Sequence, residues 1–369
     1  MESHIPQLML YVSASIERDD FAMSNKRRIL IESFDFFYKS LKELLSDEYK
    51  LEYYMTSKKS RFVFFYDYFS LKKKASRGFI KRFDVIHLNN YVAFNIIRLR
   101  TERQIWISES HGYHFGISLI NSLIDSEFPV NVLGFLVGII LHPVIRHNMK
   151  EFDVNLVAIP NIYEDAKKFL PNVEWLPNPI SDFWFEKHKN IKVDGSPAIF
   201  FPTRLHKMKE PEHGFKIFEK IFKQYPNAKL HLIKYPERFS QYFFYETFLE
   251  KHKERIVWHK FVKREKLAEM YHSFDLVLGA FGKGLLNLVE LEAMASGAAV
   301  VSYDRYEFIK KEIEELPAFA LKLLSDKKFK TDYVKHSKEY VKTVHGSEAV
   351  AEKYKKIIDS ALKKKSSKD

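Results

Sequence analysis

The stretch GAFGKGLLNLVELEAMASG, Gly279 to Gly297, holds four of the chain's twelve glycines and sets one carboxylate, Glu292, among leucines and alanines. The strand-like DLVLGAF runs into Gly282 and Gly284, and the spacing predicts a helix from about Leu285. A glycine-rich turn that leaves a strand and opens a helix offers unpaired backbone N–H groups at the positive end of the helix dipole. Such a turn suits a phosphate, with Gly282, Gly284, Leu285 and Leu286 as the candidate seat and Lys283 as an added cation. On a wheel of about 100° per residue, Glu292 falls between Leu288 and Ser296, on the side of Leu285, Val289 and Ala295, while Glu290 points elsewhere. An acid on that stripe is costly unless something bonds to it. Ribose hydroxyls of a nucleotide would serve, and so would a neighbouring Arg, Lys or backbone amide.

A second constellation is FFPTRLHKMKEP, where Arg204 follows a strand at once and Lys209 comes five residues later, before the next helix. Two cations at the carboxyl end of a strand can converge on a diphosphate, with Arg the better for bidentate contact. Taken alone, the segment also reads as an ordinary solvated loop. His111 and His114 stand at i, i+3, but nothing nearby completes a metal site, and Asp19-Asp20 reads as a solvated pair. We therefore expect no metal and no tightly held cofactor. The absence of G-x-x-x-x-G-K-[ST] argues against a P-loop nucleotide hydrolase. Cysteine is absent, which excludes a disulfide framework and thiolate chemistry.

What must position these groups follows from the bulk sequence. The 369 residues carry a net charge of +12, enough chain for two domains and enough charge to imply an anionic partner. From Lys58 to Arg82 nine basic residues face one acid, Asp67, with Phe and Tyr between them. Lys72, Lys73, Lys74 and Arg77 are the candidates there for contact with an anionic membrane surface or a lipid-linked acceptor. A solvated basic face over aromatic core, or single-stranded nucleic acid stacked on the rings, fits the same composition. The apolar run Val130 to Leu141 is far shorter than the roughly 20 residues a bilayer needs. The opening residues lack a signal-peptide pattern, so the expected location is cytoplasmic, peripheral on the inner face of the cell membrane if the basic segment binds lipid.

Strand-length apolar runs alternate with helix-length amphipathic segments throughout. LMLYVSAS, KLEYYM, DVIHLN, QIWISES and NLVAIP read as strands in the first half, with NKRRILIESFDFFYKSLKELL as a helix after the first. AIFFP, KLHLIK, RIVWHK, DLVLGAF and AAVVSY repeat the pattern in the second. Alternation of this kind predicts an α/β fold with parallel sheets. Turn-rich punctuation divides it: an N-terminal domain over 1–180, a linker over 181–196, a second domain over 197–350, and a helix with a frayed basic tail over 351–369.

The succession FPTRLHKMK, AKLHLIKYPE, IVWHKFVKREKLAEMYHSFDLVLGAF and GLLNLVELEAMASGAAVVSYD resembles the second domain of the GT-B glycosyltransferases, in particular glycosyltransferase family 4. FDVIHLNNY, WISESHGYH and LVAIPNIYEDAKKFLPNVEWLPNPISDFWF are similar, more loosely, to that family's first domain. The resemblance implies two Rossmann-like domains facing a central cleft, the first for the acceptor and the second for a nucleotide-diphospho-sugar. It further implies that Arg204 and Lys209 hold the diphosphate, that Glu292 binds ribose as the second acid of a Glu-x7-Glu motif, and that His111 approaches the donor sugar. Asn178 falls in the family's interdomain turn.

The departures are specific. Gly284 stands where the first acid of that motif belongs, Thr203 stands where a glycine precedes the Arg, and no glycine occurs before Gly78. The implied function is transfer of a sugar to an acceptor hydroxyl, retaining and metal-independent, with no nucleic acid partner. An inverting enzyme would instead need a base, for which His111 or Glu109 could serve. The alternative is a catalytically weak GT-B-like partner of another transferase.

Overall fold

The computed structural model describes residues 27–32, 35–53, 71–74, 78–89, 96–110, 147, 149–236 and 241–367. Two parallel sheets organise the chain. The first contains β1 (Arg27–Glu32), β2 (Tyr49–Tyr53), β3 (Val85–Asn89), β4 (Ile105–Ser110), β5 (Val154–Val157) and β6 (Val173–Trp175), in the order β2-β1-β3-β4-β5-β6. The second contains β7 (Ala198–Phe201), β8 (Lys229–Lys234), β9 (Ile256–Lys260), β10 (Leu276–Leu278) and β11 (Val300–Val301), in the order β11-β10-β7-β8-β9. The expected α/β architecture of two parallel-sheet domains is what the chain forms.

The strands are short apolar runs because both faces are covered. Every residue of β4, β5, β7 and β10 is buried, as expected of parallel strands between helices. The same principle corrects one sequence expectation. NKRRILIESFDFFYKSLKELL is not one helix: residues 27–32 are a strand, and the helix covers only Asp35–Leu45. Ile29, Leu30 and Ile31 are consecutive and all buried, a pattern that fits a central strand and not the one-sided stripe of a surface helix. The expected strand LMLYVSAS and the apolar run Val130 to Leu141 lie outside the described residues.

The chain crosses between its sheets twice, and the two crossings pair. Ile180 and Gly346 form a parallel bridge, the Ile180 N–H donates to His345 O at 2.6 Å, and the Ser347 N–H donates to Ile180 O at 3.2 Å. Beside them His345 Nε2 lies 2.8 Å from the Glu307 carboxylate, which also accepts from the Tyr340 hydroxyl. Glu307 is held in place by Asp304, whose buried carboxylate accepts the backbone N–H groups of Tyr306, Glu307, Phe308 and Ile309 at 2.7–3.0 Å.

After the second crossing, the helix Ser347–Ser366 packs on the first sheet. Its Val350, Tyr354 and Ile358 are fully buried against residues such as Ile31, Leu41, Val85 and Ile107. Each such side chain contributes about 1.5–3 kcal/mol relative to exposure, so the last stretch of chain completes the first core. The basic tail is not frayed over Lys363–Ser366: it stays helical, and Lys365 Nζ donates to Gln104 O at 2.5 Å. Among the described residues, no helix is long and apolar enough to cross a membrane.

Candidate active site

The loops leaving the carboxyl ends of β7 and β10 meet. After β7 comes a tight turn, Lys207–Lys209, whose Lys209 O accepts the Phe281 N–H at 3.0 Å. After β10 comes a second turn, Gly282–Gly284, in which Gly284 adopts φ +63°. A Cβ on Gly284 would lie 3.3 Å from the Tyr303 ring and 3.4 Å from Arg305 Cγ, and Gly284 O accepts the Arg305 N–H at 3.1 Å. Left-handed backbone and close neighbours are both conditions that glycine meets best.

The helix begins later than its sequence suggests. It covers Leu288–Ala295 with Asn287 as its N-cap, and Leu285 is extended. The reason is a capping box: the Glu290 carboxylate turns back to accept the Asn287 N–H at 2.7 Å, and it also accepts the Ala280 N–H. Glu290 is thus the acid in the core, fully buried, and Gly279 is glycine because a Cβ would come within 2.5 Å of that carboxylate. Glu292 is different. It lies on the half-buried side of the helix with Leu288 and Val289, while Leu291, Ala293, Met294 and Ala295 fill the core.

Lys209 Nζ donates to Asn287 Oδ1 at 2.8 Å, which holds this cation at the entrance of the helix that carries Glu292. Arg204 is exposed on the same loop. Tyr235, whose hydroxyl donates to Pro202 O at 2.8 Å, is within reach of the charges of both Arg204 and Glu292, and burial raises its pKa. Among the described residues, the Glu292 carboxylate has no hydrogen-bonding partner. Burial pushes its pKa up to about 7, partly opposed by Arg264 and reinforced by Glu290. Arg264 is itself engaged, bonding to Ser181 Oγ and lying 4.7 Å from the Phe183 ring centre and 5.0 Å from that of Trp184.

The geometry therefore brings Arg204, Lys209, Gly282, Gly284, Leu285, Leu286 and Glu292 to one edge of the second sheet. His111 and Arg77 lie outside the described residues. Lys72, Lys73 and Lys74 are exposed in a short helical turn of the first domain, and Lys74 Nζ lies 5.7 Å from the Phe79 ring centre. Further along that segment, among the described residues, Ile80 is buried and Arg82 pairs with Glu52 at 2.6 Å, and the buried Phe83 follows it. Glu109 is not exposed in a cleft; it is buried, with Oε2 at 3.3 Å from His87 Nε2, and the other nitrogen of that ring lies 2.9 Å from the Tyr354 hydroxyl. Asn178 sits at the crossing, its carbonyl 3.1 Å from His345 Nδ1. Among the described residues, no group of three His, Asp or Glu is placed to hold a metal ion.

Three residues of this site escaped the sequence reading. Asn287 had a usable signal, since N-x-x-E ahead of an apolar run is a capping-box pattern. Tyr235 and Arg264 had none, because they reach Glu292 from other strands and helices.

Comparisons with known proteins bear on the fold and on the second domain. Residues 182–322 match the family model described as glycosyl transferases group 1. No curated protein matches the sequence. Among solved structures, a sucrose-phosphate synthase from Thermosynechococcus elongatus is 14% identical with a TM-score of 0.67, covering 91% of this chain and 99% of its own. HepE from Anabaena, solved with UDP and glucose, is 12% identical with a TM-score of 0.58 over 91% of this chain and 99% of its own. TarM from S. aureus, solved with fondaparinux, alpha-GlcNAc-glycerol and UDP, is 14% identical with a TM-score of 0.53, over 74% of this chain and 55% of its own. These solved structures share the two-domain parallel-sheet fold of this chain, the GT-B architecture, and within the second half residues 182–322 are similar to the group 1 glycosyl transferases.

Proposed function

We propose that the protein moves a sugar from a nucleotide-diphospho-sugar to an acceptor hydroxyl. The observation that carries this reading is the Lys209–Asn287 contact at 2.8 Å, which fixes a cation at the entrance of the helix bearing Glu292, whose carboxylate has no hydrogen-bonding partner among the described residues. Lys209 and Arg204 bind the donor diphosphate and stabilise the charge it gains as the bond between sugar and phosphate breaks. The backbone of Gly282–Leu286 seats the phosphates. Glu292 accepts hydrogen bonds from the ribose hydroxyls, which supply the partners that a half-buried carboxylate needs.

The transfer is retaining and metal-independent in this proposal, in the manner of glycosyltransferase family 4. The sugar–phosphate C–O bond breaks, a new C–O bond forms to the acceptor, and the leaving phosphate takes the acceptor's proton. His111 contacts the donor sugar from the first domain. The acceptor is a membrane lipid or a lipid-linked glycan, reached through Lys72, Lys73, Lys74 and Arg77 at the inner face of the cell membrane. This places the enzyme in glycan biosynthesis, and the support is the exposure of Lys72 to Lys74 beside the buried Phe83 cluster.

One observation favours a second reading. Gly284 brings no side chain to the seat and holds a left-handed backbone there, which suits a weakly active partner of another transferase. Melting temperatures measured with UDP, GDP, ADP and their sugars, followed by donor hydrolysis, separate the two. A ligand-induced rise and slow nucleotide release, both lost in Lys209→Ala, support the enzyme; a rise with no release supports the partner.

A further inference from the structure

Eight large apolar side chains are exposed among the described residues, and four of them gather at one place on the second domain. Phe243 and Phe244 are 61% and 46% exposed on a tight turn, Tyr242–Tyr245, while Trp258 and Phe261 are 42% and 66% exposed on and just after β9. Tyr242 and Tyr235 join them: Tyr242 packs edge-on against Trp258 at 5.8 Å, Tyr235 packs against Phe261 at 5.9 Å, and the Tyr242 hydroxyl bonds to the Tyr235 backbone.

The cations around these rings are arranged unusually. Lys234 on β8 and Lys260 on β9 are direct cross-strand partners, both exposed, and among the described residues neither forms an ion pair. Two like charges held side by side on neighbouring parallel strands repel each other unless something negative lies over them. Trp258 shares their side of β9, two residues from Lys260. Lys207 Nζ lies 3.8 Å from the Phe244 ring centre, and Lys253 and Lys263 are also exposed nearby. Among the described residues the acids beside the rings are Glu246 and Glu250, and Glu250 is paired with Lys253 at 3.6 Å.

We propose that this patch docks the second domain onto an anionic lipid surface. Aromatic rings enter the headgroup layer, and lysines on long stems reach the phosphates above them. A protein partner fits less well, because the cores of protein interfaces are depleted of lysine. Single-stranded nucleic acid stacks its bases on open ring faces, and here Phe243 and Phe244 lie against each other with ring centres 4.0 Å apart. The turn bonds to the donor loop, with the Gln241 N–H donating to Leu205 O at 2.7 Å and the Lys207 N–H to Gln241 Oε1 at 3.0 Å. Docking here sets the rim of the candidate active site beside the membrane. The proposal does not depend on the transfer reaction.

The test is flotation of the full chain with vesicles of phosphatidylcholine alone and with one-third phosphatidylglycerol, against Phe243→Ser/Phe244→Ser and Lys234→Glu/Lys260→Glu variants. The native protein floats with anionic vesicles only, and each double variant lowers partitioning by about tenfold or more, with its melting temperature and nucleotide-induced shift kept. Absence of native flotation overturns the proposal, as does native flotation that both variants retain while Lys72→Glu/Lys73→Glu/Lys74→Glu loses it. Capture of the native protein on a single-stranded oligonucleotide in place of vesicles also overturns it. Loss of the nucleotide shift in the native protein would count against the transfer reading and leave the docking result standing.

Discussion

Glu109 and Glu292 both lie toward the carboxyl edge of a parallel sheet, and they show opposite treatments of an acid taken wholly or partly out of water. Glu109, near the end of β4, is enclosed with His87 and Tyr354, the last supplied by the helix Ser347–Ser366. Glu292 is held in a low-dielectric setting by its helix but has no hydrogen-bonding partner among the described residues. Glu109 is shut in beside other buried groups, whereas Glu292 keeps a carboxylate without a hydrogen-bonding partner among the described residues and so available to a ligand. Glu290, two residues from Glu292, repeats the first case within the same helix, since its carboxylate is used up in the capping box.

The contrast can be broken most sharply at Glu109. Glu109→Ala leaves His87 buried beside an empty position, and we expect unfolding measurements to show a loss of about 3 kcal/mol. A loss below about 1 kcal/mol would mean that Glu109 is not part of the core in the sense argued here. Lys209→Ala should have the reverse profile. Denaturation is nearly unchanged, while donor hydrolysis falls about 100-fold, equivalent to about 2.7 kcal/mol of transition-state stabilisation.

Glu292→Gln sharpens the comparison through pH. Because the folded pKa is raised to about 7, the native fold binds this proton more tightly than the unfolded chain. The stability that the proton gives is complete below the unfolded value near 4.5 and is lost as pH rises through about 7. The Gln variant escapes that loss. It should match the native protein at pH 4 and exceed it by about 1–2 kcal/mol at pH 8, after discounting for partial exposure. An equal difference at both pH values would contradict the assigned environment. The smallest effect is expected for Gly284→Ala, where a left-handed backbone and the Tyr303 ring together cost about 1 kcal/mol in thermal denaturation. A gain in stability there would show that the turn is relaxed for any residue.

Much of this was legible in the sequence for a local reason. Apolar runs such as AIFFP and DLVLGAF between amphipathic segments mark buried parallel strands wherever they occur. Arg204, Lys209 and Glu292 could be singled out because each follows a strand or breaks a stripe. RRILIE was misassigned because a run of two basic and three apolar residues also fits the edge of a helix, and only burial on both faces settles it. The start at Leu285 was misplaced because the wheel carries no account of where Glu290 turns.

The sequence by itself determined the alternation of strand and helix, the absence of thiol chemistry, the glycines of the Gly282–Gly284 turn and the identity of the charged groups near it. These follow from residue type and short-range spacing, which act within a few positions of chain. The tertiary structure alone decided which of two acids on one helix was used up in the core and which stayed half-buried without a hydrogen-bonding partner among the described residues. It also decided that Asn287 holds Lys209, that the last helix closes the first core, and that Lys234 stands opposite Lys260. Each is a contact across many residues of chain, fixed by the packing of whole elements and not by any local preference.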